Sequence, residues 1–256
     1  MKIGIIGLGY VGSAVAATHK HHEIVVRDPK LNQESASLDC ILQCDAIYIC
    51  VPSPMNDDGS CNVEYIEAVL EEIQNYSKVI IAKSTLPPDF YKKLQLKFHN
   101  LVHVPEFLTA ANAVNDYEQS AWVLVGGEEP FVEYAIDIIR SSSIVANKYV
   151  KTNIATASMF KYIANSFLAT KVTYMNDMYH LANQLDISWN DIKEISKNDS
   201  RLGDTHWDVP GPDGLFGYGG ACFPKDVSAI IEHAKSFGIE LSLLESVKQI
   251  NKKHRN

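Results

Sequence analysis

The chain has 256 residues, 46% of them hydrophobic and 21% charged, and a formal net charge of −8. This is the composition of an ordered globular protein with enough apolar mass for one large or two modest domains, and two are expected, at 1–148 and 149–256. The acid excess leaves no electrostatic footprint for nucleic acid or an anionic membrane, so an anionic ligand must be held by local groups.

In chain order, Met1-Lys2 followed by a largely apolar run to Ala17 has the outline of a secretion signal, but it carries a glycine spacing that a signal does not require. Lys2–Ile6 is a short apolar run suited to a buried parallel strand. It feeds Gly7-Leu-Gly9-Tyr10-Val11-Gly12, where glycines permit a tight turn and close approach of a pyrophosphate. The helix expected next, Ser13 to His19, would aim its N-terminus at the phosphates. A second strand from Glu23 ends in Asp28, 21 residues after Gly7, where a carboxylate takes the ribose hydroxyls of a dinucleotide. Asp28 favours NAD over NADP, because a 2′-phosphate would meet its negative charge, although Arg27 and Lys30 flank it.

Further strands are expected at Ala46–Val51, Val79–Ala82, Leu101–Val104 and Trp122–Val125, with a helix over Val63–Tyr76. Three of these strands run into polar, proline-bearing loops: Pro52-Ser53-Pro54, Lys83-Ser84-Thr85-Leu-Pro-Pro88 and Pro105-Glu106-Phe107-Leu108. In a doubly wound sheet ligands sit beyond the carboxyl ends of the strands, so Ser53, Thr85 and Glu106 are expected to face one crevice. Taken singly, each reads more readily as a turn or cap residue, and their shared placement is the stronger point.

Beyond about Lys148 the pattern turns helical: a long helix over Thr152–Leu185, then Trp189–Lys197, Pro224–Phe237 and Leu241–His254. Lys161 and Asn165 are four apart and share a helix face. The five cysteines, Cys40, Cys44, Cys50, Cys61 and Cys222, are odd in number and form no zinc-type pairs. Neither a disulfide framework nor a metal site is therefore expected, and a reducing cytoplasm is the expected compartment. The stretch Gly217-Tyr218-Gly219-Gly220-Ala-Cys222-Phe-Pro-Lys225-Asp226 presents one cysteine on a glycine platform, just before a helix whose positive end favours a thiolate. Cys222 reads as a nucleophile, with a small buried hydrophobe in a turn as the bland alternative.

Gly-Leu-Gly-Tyr-Val-Gly12, Val51-Pro-Ser-Pro54, Lys83-Ser-Thr85, Pro105-Glu106-Phe-Leu108, Lys161-x-x-x-Asn165, Asp199-x-Arg201-x-Gly203 and the Cys222 motif stand in one order along the chain. Together they resemble the UDP-glucose/GDP-mannose 6-dehydrogenase family from Lys2 to about Asn251. The resemblance implies an NAD-dependent four-electron oxidation of a nucleotide-sugar primary alcohol to a carboxylate, through a thiohemiacetal and a thioester on Cys222. It implies that Lys161 and Asn165 stabilise the oxyanion, and that Asp226, Thr85 and Glu106 position or deprotonate water and the sugar hydroxyl. Cofactor positions are Gly7, Gly9, Tyr10, Val11, Gly12, Asp28, Ser53, Thr85 and Lys225. Substrate positions are Glu106, Phe107, Leu108, Lys161, Asn165, Arg201, Tyr218 and Gly219.

Val104 and Ala110 depart from the family, which has an asparagine and a second glutamate there, and the loop after Asp28 is short. The family also carries a further nucleotide-binding domain after a long helix, so a short form without it is expected. The expected fold is α/β, a Rossmann-type doubly wound parallel sheet followed by an all-helical domain that pairs with a second copy in a homodimer. A two-electron 3-hydroxyacid-type dehydrogenase and a silent NAD-binding remnant are the alternatives.

Overall fold

The computed structural model describes residues 1–255, so Asn256, the last residue of the expected helical domain, lies outside the described residues. The chain divides into two compact units, Met1–Pro54 with Cys61–Lys161, and Met55–Ser60 with Tyr162–Asn256.

The first unit alternates strands and helices: β1 Lys2–Ile6, α1 Tyr10–Thr18, β2 Glu23–Arg27, α2 Leu38–Leu42, β3 Ala46–Ile49, α3 Glu64–Glu72, β4 Ile80–Ala82, α4 Pro88–Lys97, β5 Leu101–His103, α5 Ala113–Glu118, β6 Trp122–Gly126, α6 Phe131–Arg140 and β7 Lys148–Thr152. The strands form one sheet in the order β2-β1-β3-β4-β5-β6-β7. All neighbouring pairs are parallel except β5 with β6. The order reverses at β1, which has β2 on one side and β3 on the other, and this is the switch point of a Rossmann-type sheet.

Side chains alternate between the two faces of the sheet and build two cores. Ile3, Ile5, Tyr48, Ile81 and Val102 pack with residues of α1, α5 and α6 on one face. Ile6, Ile47, Ile49, Ile80 and Leu101 pack with residues of α3 and α4 on the other. Central strands covered on both sides must be apolar at every position, which is why β3 is buried throughout. The edge strand β7 reads Lys-Tyr-Val-Lys-Thr, with only two adjacent apolar residues, so it carries no continuous apolar run, and the sequence reading did not anticipate it.

The long helix α7, Ile154–Gln184, begins in the first unit and continues into the second, where α8 Trp189–Ser196, α9 Phe223–Lys235 and α10 Ser242–Arg255 follow. Ala169, Tyr218, Val227, Ile231 and Val247 form one small core of that unit, and Met175, Ala182, Trp189 and Trp207 form another. The stretch between α8 and α9 has little regular structure and is tied down by polar bonds. Trp189 Nε1 donates to the Trp207 carbonyl at 3.0 Å, Trp207 Nε1 to that of Gly203 at 2.8 Å, and Lys171 to that of Leu202 at 2.9 Å. No helix among the described residues is long and apolar enough to cross a membrane.

Candidate active site

The glycine motif forms a cradle at the carboxyl end of β1. Gly7 has φ +92°, and a Cβ there would lie 2.8 Å from the Cys50 carbonyl oxygen. A Cβ on Gly12 would meet the Gly7 carbonyl oxygen at 2.0 Å, whereas one on Gly9 would meet nothing within 4 Å. Two glycines thus let the turn and α1 close on each other, and the third keeps the approach to the α1 N-terminus open. That is the shape and polarity a pyrophosphate requires. α1 starts at Tyr10 rather than Ser13, since the motif itself supplies the first helical turn.

Asp28 sits beside this cradle and is 8% exposed. Its carboxylate accepts from the amides of Leu8 at 2.6 Å and Lys30 at 2.8 Å, and these bonds hold its pKa below the ordinary value. The Leu8 bond ties the acid to the glycine turn, leaving the other lone pairs for ribose hydroxyls. Arg27 is turned to Glu72, 3.1 Å away, and so is already neutralised.

Ser53, Thr85 and Glu106 follow β3, β4 and β5, which are adjacent in the sheet, and all three are buried. The loop bearing Thr85 is braced by Ser84, whose hydroxyl donates to the Val51 carbonyl at 2.7 Å, and by Tyr91, whose hydroxyl donates to the Ser84 carbonyl at 2.6 Å. Lys161, 3% exposed, places its ammonium 3.1 Å from Glu106 Oε1, donates to the Glu106 carbonyl and lies over the Phe107 ring. The other Glu106 oxygen accepts from the Leu108 amide at 2.9 Å. The pair is therefore fixed in orientation, and an ammonium with three N–H groups keeps one beyond the two spent on Glu106. Val104 is 1% exposed within the core and Ala110 lies at the surface, so neither departure position presents a polar side chain.

The second unit holds the Cys222 motif. Cys222 is the N-cap residue of α9, and Pro224 stands in the first helical turn. Asp226, 1% exposed, has one carboxylate oxygen 2.6 Å from Asn165 Nδ2 and the other 2.5 Å from Lys225 Nζ. Asn165 lies one turn beyond Lys161 on α7.

The glycine loop before Cys222 is held by residues the sequence reading did not single out. Gly217 N donates to Asn176 Oδ1 at 2.9 Å, and Tyr218 N donates to Asn251 Oδ1 at 2.7 Å. Asn251 Nδ2 donates back to the Tyr218 carbonyl at 2.9 Å, and Arg255 Nε donates to the same oxygen at 3.1 Å. A polar residue at the inward position of an amphipathic helix was the available signal for Asn251. Burial pushes the Tyr218 phenol up to about 12. Gly219 carries no side chain where one would collide with Arg255, its Cβ lying 2.1 Å from Nη2. Arg201 is 86% exposed and paired with Asp199 at 2.6 Å, so it is placed at the surface of its own unit. Among the described residues no group of His, Cys, Asp and Glu side chains is arranged to hold a metal ion.

Comparison with known proteins accounts for both halves of this arrangement. The NAD binding domain of the UDP-glucose/GDP-mannose dehydrogenase family matches residues 25–141, and the central domain of the same family matches residues 155–253. A curated relative, UDP-glucose 6-dehydrogenase of Rickettsia conorii (strain ATCC VR-613 / Malish 7), is 30% identical across 98% of this chain and 67% of its own. The chain belongs to the UDP-glucose/GDP-mannose dehydrogenase family. NAD is accordingly its cofactor, and the cradle described above fits it.

UDP-glucose 6-dehydrogenase TuaD of Bacillus subtilis (strain 168), also 30% identical, matches 90% of this chain and 51% of its own length. The chain thus spans about half to two thirds of the curated family members it matches. Among solved structures, a UDP-glucose dehydrogenase from Pyrobaculum islandicum aligns with a TM-score of 0.83 at 24% identity, over 98% of this chain and 68% of that one. A 3-hydroxyisobutyrate dehydrogenase from Mycobacterium tuberculosis aligns with a TM-score of 0.76 at 17% identity, over 99% of this chain and 94% of that one. The family fold is therefore shared with a hydroxyacid dehydrogenase, and function must be argued from side chains.

Proposed function

We propose that this chain oxidises the primary alcohol of a UDP-glucose-like nucleotide sugar to the uronic acid in the cytoplasm, in four electrons, with Cys222 as covalent nucleophile. The observation that carries this reading is the start of α9, where Cys222 stands at the N-cap and Asp226, buried one turn on, is bonded to Asn165 and Lys225. A two-electron hydroxyacid dehydrogenase has no task for that cysteine.

Bound NAD⁺ supplies hydride acceptance, twice per substrate. In the first oxidation a base takes the hydroxyl proton as hydride leaves the same carbon, giving the aldehyde. The Cys222 sulfur then bonds to the aldehyde carbon, and the resulting thiohemiacetal loses a second hydride and its hydroxyl proton to become a thioester. Water adds to the thioester carbon, the carbon–sulfur bond breaks, and thiolate and carboxylate result. Lys161 and Asn165, held at helix spacing, donate to the oxygen on which negative charge develops in each step. Thr85, Glu106 and Asp226 position or deprotonate the hydroxyl and the water, work that Val104 and Ala110 cannot share.

Residues 1–148 serve the cofactor and residues 149–256 the covalent chemistry in this reading, with Arg201 and the Tyr218–Gly220 loop on the nucleotide sugar. A homodimer belongs to the same proposal. Ile163, Phe167, Tyr174 and Leu181 recur along one face of α7, and each is more than half exposed. A second copy of the same face is the occupant such a stripe suits.

Stoichiometry tests the chemistry. Each nucleotide sugar consumed is expected to give two NADH and a uronic acid with no free aldehyde. Cys222→Ser is expected to stop before the carboxylate, and Lys161→Ala to lose about 10²- to 10³-fold in rate. One NADH per substrate with activity insensitive to Cys222→Ser would sink the proposal in favour of a hydroxyacid-type reaction.

A further inference from the structure

Lys83 is 3% exposed, and its Nζ has no hydrogen-bond partner among the described residues. A buried ammonium without a partner carries a large desolvation penalty, and such a group persists where it has a task. The Lys83–Glu106–Lys161 neighbourhood leaves it outside the proposed chemistry, because Lys161 takes the Glu106 carboxylate for itself.

Its position indicates what it serves. The Lys83 amide donates to the Ile49 carbonyl at 2.9 Å, which sets its backbone beside Cys50 just past β3. Cys50 in turn donates its amide to the Ile6 carbonyl at 2.8 Å and lies against Gly7 and Gly12, the crowded side of the cofactor cradle. Two strand spacings, about 10 Å, therefore separate the Lys83 backbone from the glycine turn. The side chain runs along the core face that α1 and α5 cover, with Nζ 4.7 Å from the centre of the Tyr117 ring.

Four titratable groups around Lys83 keep one charge state near neutrality. Burial pushes the Cys50 thiol up to about 12 and the Tyr117 phenol up as well, and takes His19 down to about 4 and His103 to about 3. Glu106 and Lys161 are paired with each other. Lys83 itself is brought down by burial to about 8, so it changes charge there.

We propose that Lys83 is the buried counter-charge to the cofactor's pyrophosphate, a positioning residue that acts through the glycine loop and makes dinucleotide binding proton-linked. The inference rests on the NAD assignment and on no choice of sugar substrate. An anion delivered to the α1 N-terminus adds to the negative field of Glu106, which Lys83 shares with Lys161. At the effective dielectric of a protein, a unit charge pair separated by about 12 Å is worth about tenfold in affinity, and that is the magnitude expected of this interaction. By linkage the same interaction raises the proton affinity of Lys83 about tenfold when the dinucleotide is bound.

Calorimetric titration of the full chain with NAD⁺ at pH 8.5, in two buffers of different ionisation enthalpy, tests this without substrate. Uptake of about half a proton per NAD⁺ is expected at pH 8.5, and close to none at pH 6.5, where Lys83 is already charged. Lys83→Met is expected to abolish the uptake and weaken NAD⁺ about tenfold at pH 6.5. Lys83→Arg, charged throughout, is expected to abolish the uptake yet keep NAD⁺ affinity at pH 9.5, where the parent protein weakens. The arginine variant alone suffices if the methionine variant does not fold. No uptake at pH 8.5, or uptake that persists in either variant, would overturn the proposal. Failure of the parent protein to bind NAD⁺ would overturn it together with the cofactor assignment.

Discussion

A buried lysine whose ammonium has no hydrogen-bond partner weakens the fold that encloses it, and the pH range over which Lys83 does so follows from its proton affinity. Burial takes it from an ordinary 10.5 to about 8, so the folded protein releases this proton near pH 8 while the unfolded chain holds it to about 10.5. Below pH 8 the native state carries the full penalty, about 3 kcal/mol for such a shift. Between the two values the unfolded chain binds more protons, and stability climbs as pH rises. Lys83→Met is therefore expected to be more stable than the parent by about 3 kcal/mol at pH 7 in urea denaturation. The difference should close by pH 10.5, and a constant difference across this range would show that the ammonium is solvated. The sequence displayed Lys83 in full view within Lys83-Ser-Thr85, where it reads as loop chemistry. Its burial follows from the direction in which the residue after β4 faces, which a sequence does not state. Asp28 was legible for the opposite reason, since its distance from the glycines is fixed by one strand, one turn and one helix.

At the scale of elements, the loop Gly217–Gly220 is where conformation is most tightly specified. Gly217 has φ +72°, and a Cβ there would lie 2.4 Å from Asn251 Oδ1, the atom that receives the Tyr218 amide. Gly217→Ala combines a left-handed backbone penalty with displacement of that acceptor, and a loss of about 2–4 kcal/mol is expected. Asn251→Ala, which orphans the buried Tyr218 amide while Arg255 still donates to the Tyr218 carbonyl, is expected to cost about 1–3 kcal/mol. Chemical denaturation checks both, and a change under 0.5 kcal/mol for Gly217→Ala, about the level of an ordinary surface substitution, would mean the loop does not hold this conformation.

Long periodic helices and continuous buried strands were readable: α7, α8, α9 and α10 fall within two residues of their expected limits at every end. The helices α2, α4, α5 and α6 were not foreseen. α2 has five residues and α5 six, too short for a helical period to declare itself, and tertiary packing against the sheet stabilises them. The carboxamides of Asn176 and Asn251 escaped because their partners are backbone groups 41 and 33 residues away, and no side-chain spacing encodes such a bond.

For the whole molecule, the exposed stripe on α7 sets the expected assembly. Phe167 is 65% exposed at the centre of a row with Ile163 and Tyr174, and a fully buried aromatic contributes several kcal/mol at an interface. Light scattering at micromolar concentration is expected to give twice the chain mass for the parent protein and the single-chain mass for Phe167→Glu. A parent protein that runs as a single chain would remove the homodimer from the proposal and leave that face to another partner.

The bonds between α10 and the glycine loop make the last helix a lever. Asn251 and Arg255 sit one turn apart and both grip the Tyr218 peptide, so a rotation or a pull on α10 reaches the backbone four residues before Cys222 without crossing any intervening packing layer. The loop that leads to Cys222 is in this sense geared to the last helix. The Tyr218 amide is the gear's readout, because its exchange with solvent hydrogen is slow while Asn251 holds it and fast once the helix lets go.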